Sequence, residues 1–222
     1  MTDEGRARQH RTRSHVRLVL ASASPTRLAL LQGAGINPRV VVSEVDEDEA
    51  LVAATIRATR ELSVAEQVTV LAQAKANAVL ATLPVELEPR LLLGCDSLLE
   101  IDGVARGKPG TPERAVEAWR EMRGRTGVLH TGHHLIATGS FDDVEGARKI
   151  SSPPGRPRRR ARSGVSSTTV SFADVSDAEI EAYVATGEPL AVAGAFTIDG
   201  IGGAFINGVE GDHHGVLALS LP

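Results

Sequence analysis

Gly94-Cys95-Asp96 follows Leu91-Leu92-Leu93, an apolar run with the length and composition of a buried strand. This spacing places Asp96 at the C-terminal end of that strand, where open α/β sheets bind ligands. A second run, Leu98 to Ile101, turns at Asp102-Gly103 and returns through Val104 to Gly107-Lys108-Pro109. The hairpin could bring an acid and a lysine to one cleft. Equally, Asp96 could end a strand while Lys108 remains a solvated charge.

Three further clusters have chemical potential. Ser22, Ser24 and Arg27 stand where the strand Val16–Ala21 runs into Ser24-Pro25, an N-cap followed by a proline suited to the first helical position. A strand, two hydroxyls, a helix N-terminus and a guanidinium make an anion cradle, or simply a capped helix. Glu44 to Glu49 is an acidic run of the ligand type that Mg²⁺ or Mn²⁺ prefers, and such runs are also common solvated faces. Lys75 is the third. On a helix opened by the capping box Ser63-Val64-Ala65-Glu66 and running to about Thr82, it falls in the middle of the face made by Val64, Val68, Leu71, Ala72 and Val79. A lysine there either snorkels or projects into a cleft that holds negative charge. His130, His133, His134 and the pair His213-His214 lack the spacing of a structural zinc site.

The elements that must position these groups are legible in outline. Residues 1–15 are polar and basic and read as a flexible tail; Val40–Ser43 reads as a strand. Thr111-Pro112-Glu113 opens a helix with Val116, Trp119 and Met122 inward, and Gly127–Thr138 reads as one long strand or a pair. Residues 141–163, with Pro153-Pro154-Gly155-Arg156-Pro157-Arg158-Arg159-Arg160, read as a disordered basic insertion. Val165–Ala173 is a strand, Ser176-Asp177-Ala178-Glu179 caps a helix that buries Ile180, Tyr183 and Val184, and the glycine-rich remainder reads as short strands. This is an α/β chain, expected as a single domain over 16–222. A net charge of −4 over 222 residues gives no general attraction to nucleic acid, and no run is long enough to span a bilayer. The single cysteine cannot close an internal disulfide, so a cytoplasmic location is expected.

Taken together and in order, Leu20-Ala21-Ser22-Ala23-Ser24-Pro25-Thr26-Arg27, Asp46-Glu47, Leu71-Ala72-Gln73-Ala74-Lys75-Ala76, Gly94-Cys95-Asp96-Ser97, Gly107-Lys108-Pro109, the GRTGVLHTG segment, Tyr183-Val184-Ala185-Thr186-Gly187-Glu188-Pro189 and Ala193-Gly194-Ala195-Phe196 resemble the Maf family. The resemblance implies an elongated mixed β-sheet flanked by helices, with two lobes and a central cleft. It also implies a nucleoside triphosphate pyrophosphatase that releases a nucleoside monophosphate and pyrophosphate with a divalent cation, Mg²⁺ or Mn²⁺. Asp96 would be the proton acceptor and, with Glu47, a metal ligand. Lys75 and Lys108 would act in catalysis, and Ser22, Ser24 and Arg27 would grip the triphosphate. Ser97 and Asp199 would face the base. The family is further associated with nucleotide-pool housekeeping, arrest of cell division and a homodimer.

The chain departs from the family pattern in three places. Thr26-Arg27 replaces a pair of arginines. Ser97 and Asp199 replace the Thr and Gln of the dTTP/UTP-selective branch, so dTTP and UTP are not assigned as substrates; an Asp could accept from a purine or cytosine amino group. The family's closing C-terminal helix is expected to be missing after Leu221-Pro222, which would uncover apolar area. Two rival roles follow: a non-catalytic nucleotide-binding regulator of division, or nucleic-acid binding through Arg156–Arg162.

Overall fold

A computed structural model describes residues 18–84, 91–138, 148–152, 154–155 and 158–222. The expected N-terminal tail, residues 141–147 and Arg156 of the basic insertion lie outside them.

The chain forms one mixed eight-stranded sheet with strand order β2-β1-β3-β5-β7-β6; β4 pairs with β3 and β8 with β7. The strands are β1 (Leu18–Ala21), β2 (Arg39–Val40), β3 (Leu91–Ile101), β4 (Val104–Arg106), β5 (Thr126–Thr138), β6 (Arg148–Ile150), β7 (Arg159–Phe172) and β8 (Ile206–Glu210). Among the described residues six α-helices accompany them: α1 (Pro25–Gly33), α2 (Glu47–Ala58), α3 (Val64–Thr82), α4 (Pro112–Met122), α5 (Asp177–Ala185) and the single turn α6 (His213–Val216).

β3 organises the sheet. One edge pairs without interruption with β5 from Leu91 to Glu100. Its other edge is shared: β1 lies parallel along Leu91–Gly94, and β4 lies antiparallel along Leu99–Ile101. Residues 95–98 have neither strand beside them. The sheet is therefore notched between two lobes at Asp96. The long strands pass continuously through both, while separate cores form on either side. Trp119, Met122, Phe172, Ile180 and Tyr183 pack one lobe, and Val79, Leu80, Leu92 and Ile136 pack the other under α3.

Two glycines let α3 lie directly on the sheet backbone. A Cβ on Gly94 would sit 2.2 Å from the Ala72 carbonyl oxygen, and one on Gly132 would sit 2.4 Å from that of Val68. The expected apolar face of α3 is buried at Val64, Val68, Leu71, Ala72 and Val79, and its capping box is formed by Ser63 and Glu66.

Several expectations give way. Asp96 is mid-strand, because Leu91–Ile101 is a single strand; the open position comes from the end of β1, not of β3. Asp102 and Gly103 do make the expected tight turn, both with positive φ. The end of the acidic run, Glu47-Asp48-Glu49, is the first turn of α2, capped by Asp46, whose side chain accepts from the Glu49 amide, and the expected strand at 40–43 shrinks to Arg39–Val40. Much of the expected basic loop is ladder. β6 pairs with β7 from Arg148↔Ala161 to Ile150↔Arg159, because Ala161 and Ile150 bury against the α3 core while the arginine stems reach the surface. The glycine-rich end is mainly short 3₁₀ turns at 188–191, 193–195 and 201–205 with one strand, because Gly187 and Gly194 take positive φ, which interrupts pleated backbone. Among the described residues no helix is long and apolar enough to cross a membrane.

Candidate functional site

Lys75 leaves the buried face of α3 and enters the notch. Its Nζ hydrogen-bonds Asp96 Oδ1 and lies 2.7 Å from Glu47 Oε1, so one ammonium joins two carboxylates from β3 and α2. Burial falls steeply across the trio: the side chains of Asp96, Lys75 and Glu47 are 10%, 14% and 51% exposed. Burial pushes the Asp96 carboxyl above its ordinary range. The Lys75 ammonium and, less strongly, the Arg27 guanidinium oppose that rise, and the Glu47 carboxylate adds to it.

Arg27 is buried on the first turn of α1 and builds the neighbouring half of the site. Its NH1 donates to Ser22 Oγ and to the Cys95 carbonyl, both at 3.0 Å; NH2 donates to Ser97 Oγ at 3.0 Å and Nε to the Ala218 carbonyl at 2.8 Å. A guanidinium has five N–H groups, so four are committed to the protein and one remains. The Cys95 carbonyl is free to accept because β1 ends one residue earlier. Ser24 caps α1, its Oγ accepting from the Arg27 amide, and its own amide donates to Ser22 Oγ at 3.2 Å. Cys95 itself points into the core with Leu18, Leu20, Leu31 and Leu219, where burial raises its thiol to about 11, so it is inert packing.

Lys108 and Asp199 stand apart from these two clusters. Lys108 is exposed on the loop after β4 and has no hydrogen bond or ion pair among the described residues. That loop is clamped by the Gly110 amide on the Leu190 carbonyl and the Gly194 amide on the Gly107 carbonyl, both at 3.0 Å. Asp199 is exposed and lines a cleft of about 580 Å³ with Pro25, Thr26, His214 and Leu221.

Three residues given no role from sequence hold this arrangement. Thr131, fully buried opposite Ser97 on β5, shares a 3.0 Å hydrogen bond with Ser97 Oγ and donates to the Gly215 carbonyl at 2.9 Å. Glu188 accepts from Tyr183 Oη, Thr197 Oγ1 and the Ile201 and Gly202 amides, fastening the turn that presents Asp199. Burial disfavours its charge, but those four donors outweigh it and keep the carboxyl below its usual range. Asp212 caps α6 through the His214 amide. Thr131 and Glu188 lie inside motifs quoted above, but only packing reveals their partners. The sequence signal for Asp212 is an acid just before a turn.

The family described as Maf-like protein matches residues 17–222. The chain belongs to the Maf family. It is 50% identical over 208 residues to a nucleoside triphosphate pyrophosphatase of Salinispora tropica, covering 93% of this chain and 80% of that protein. It is also 50% identical over 206 residues to a protein of the same name from Leifsonia xyli subsp. xyli, covering 93% and 88%, and 46% identical over 208 residues to one from Saccharopolyspora erythraea, covering 93% and 89%. The Maf match spans both halves of the notch, from Ser22 through Asp96 to the cleft at Asp199 and His214.

Proposed function

We propose that this chain hydrolyses nucleoside triphosphates to a nucleoside monophosphate and pyrophosphate, as a cytoplasmic nucleotide-pool enzyme. The observation that carries this reading is the buried Lys75 shared by Asp96 and Glu47 in a notch of a Maf-family sheet.

Lys75 occupies Asp96 Oδ1, leaving Oδ2 to accept a proton from a water aligned on the α-phosphorus. The water oxygen bonds to that phosphorus, the bond to the oxygen bridging the α and β phosphates breaks, and that oxygen leaves with pyrophosphate. Lys75 keeps Asp96 available as an ionised base against its burial, while Ser22, the one spare Arg27 N–H and Lys108 provide donors for phosphate oxygens. Asp96 and Glu47 are two hard oxygen ligands, the set with which Mg²⁺ or Mn²⁺ binds when phosphates and waters complete its shell. Such a cation, when bound, neutralises charge that builds on the transferred phosphoryl group. Asp199, an acceptor at the cleft rim, favours a base carrying an amino group.

The test is pyrophosphate release with Mg²⁺ or Mn²⁺ over a panel of canonical and modified nucleoside triphosphates, native chain against Asp96→Asn. Turnover that falls by about 10² to 10⁴ in the variant is the expected result. Nucleotide binding without turnover on any substrate would overturn it and leave a binding regulator.

A further inference from the structure

Asp212, His213 and His214 occupy one turn where β8 leads into α6, and none of them bonds Glu47, Lys75 or Asp96 in the trio described above. One potential ligand atom from each lies within 4.8 Å of the other two, and the imidazole rings are tilted against one another with centroids 3.9 Å apart. Two imidazoles and one carboxylate form a donor set typical of first-row transition ions.

The turn is built rather than merely exposed. Gly211 takes a φ of +122°, and buried Thr168 donates to the Asp212 carbonyl at 2.8 Å. Ser166 Oγ donates to Asp212 Oδ2 at 3.1 Å, and the His214 amide donates to Oδ1 at 3.0 Å. The Ser220 side chain and the Gly215 amide also donate to this carboxylate, so four donors orient Asp212 and a metal bond would take the place of one of them. There is no space for a side chain at 215: a Cβ there would meet Ser166 Oγ at 2.3 Å. Thr131 holds the Gly215 carbonyl, which fixes the far end of the turn. The backbone of the turn and the Asp212 carboxylate are therefore fixed, and the two imidazoles lie against each other beside them, which lowers the cost of ordering a metal site.

We propose that Asp212, His213 and His214 form a second metal site, taking a nitrogen-preferring divalent ion such as Zn²⁺, Co²⁺ or Ni²⁺. Its donors distinguish it from the oxygen-only pair Glu47 and Asp96, because imidazole favours these ions over Mg²⁺. His214 also lines the cleft shared with Asp199 and Thr26, so a ligand in that cleft could complete the ion's shell. The ion would brace the turn whose carbonyls Arg27 and Thr131 hold.

The test uses the full-length chain in excess Mg²⁺, which occupies oxygen sites, and Co²⁺ alone as the probe, followed by its visible absorption and by equilibrium dialysis. The native chain is expected to bind one Co²⁺ with nitrogen-ligand absorption bands. The double variant His213→Ala/His214→Ala should lose those bands and at least about tenfold in affinity, while Asp96→Asn leaves both unchanged. Matching far-UV circular dichroism in chelator establishes that the double variant is folded, and His214→Gln alone supplies a milder change that should weaken the bands. Unchanged Co²⁺ absorption and affinity in the folded double variant, or bands that vanish only in Asp96→Asn, would overturn the proposal.

Discussion

At the scale of the residue, the arrangement turns on a lysine where a helix face should be apolar. Lys75 stays buried because Asp96 and Glu47 both receive it, and the unpaired alternative would leave a charged group out of water. The same pairing governs how Asp96 titrates. Burial raises its carboxyl and Lys75 lowers it again, so removing the ammonium favours the protonated acid. A protonated Asp96 cannot accept a proton. Lys75→Met should therefore move the acid limb of the kcat/KM profile to higher pH as well as lowering its plateau. Glu47→Gln should move that limb to lower pH, since the Glu47 charge adds to the rise. Profiles measured at saturating metal test the pair, and a limb that stays in place in both variants would refute the electrostatic coupling.

At the scale of the element, the close seat of α3 on β3 and β5 is what makes that contact geometrically possible. Gly94→Ala would drive a methyl group toward the Ala72 carbonyl, lift α3 and cost about 3 kcal/mol. Gly33→Ala, at the end of α1 with open space around it, should be neutral or stabilise by about 0.5 kcal/mol. Urea unfolding of both variants gives the contrast, and a Gly94→Ala cost no larger than that of Gly33→Ala would refute the tight-seat account. A second element, the C-terminal segment, is tied down by His133, whose Nε2 accepts from the Ser220 amide at 3.0 Å. Burial, then the Arg27 charge, lowers this imidazole's pKa, so the folded state binds fewer protons there than the unfolded chain does. Stability from this site is consequently complete above about pH 6.5 and declines as pH falls below that value. His133→Gln keeps an acceptor without titrating; its urea midpoint relative to the native chain should improve between pH 7.5 and 5.5, and a constant difference would contradict this.

The same elements explain what could be read in advance. α1, α3, α4 and α5 announced themselves through caps and periodic apolar positions, because those signals are local. α2 did not, since Val52 and Ile56 face solvent and the helix presents little apolar stripe. The notch at Asp96 depends on where β1 stops along β3, a pairing fact with no local signature. For the same reason Ser22, Asp96 and Lys75 could be picked out one by one, while the hub made by Arg27, Ser97, Thr131 and Ala218 joins residues up to 191 positions apart and could not.

At the scale of the whole molecule, the question is whether two cores separated by a notch unfold as one. The lobes do not depend on a linker: β3, β5 and β7 each run through both, so the hydrogen-bond ladder of one lobe continues into the other. Trp119, the only tryptophan, lies at the centre of the α4–α5 lobe with no exposure. It meets Phe172, Tyr183 and Phe205 edge-on at 5.6 to 5.8 Å, and its indole N–H donates to the Ala195 carbonyl at 2.7 Å. Its fluorescence therefore reports that lobe alone, whereas far-UV circular dichroism reports both, including the long α3. If the shared strands couple the lobes, the two signals should trace one urea transition with a common midpoint. Trp119→Phe should then shift the circular-dichroism midpoint of the entire chain, with the loss of the buried indole and its hydrogen bond costing on the order of 2 kcal/mol. A fluorescence transition that precedes the circular-dichroism transition would mean that the notch divides the molecule energetically as well as geometrically. The α4–α5 lobe could then open around the cleft without unfolding the strand segments that carry Asp96.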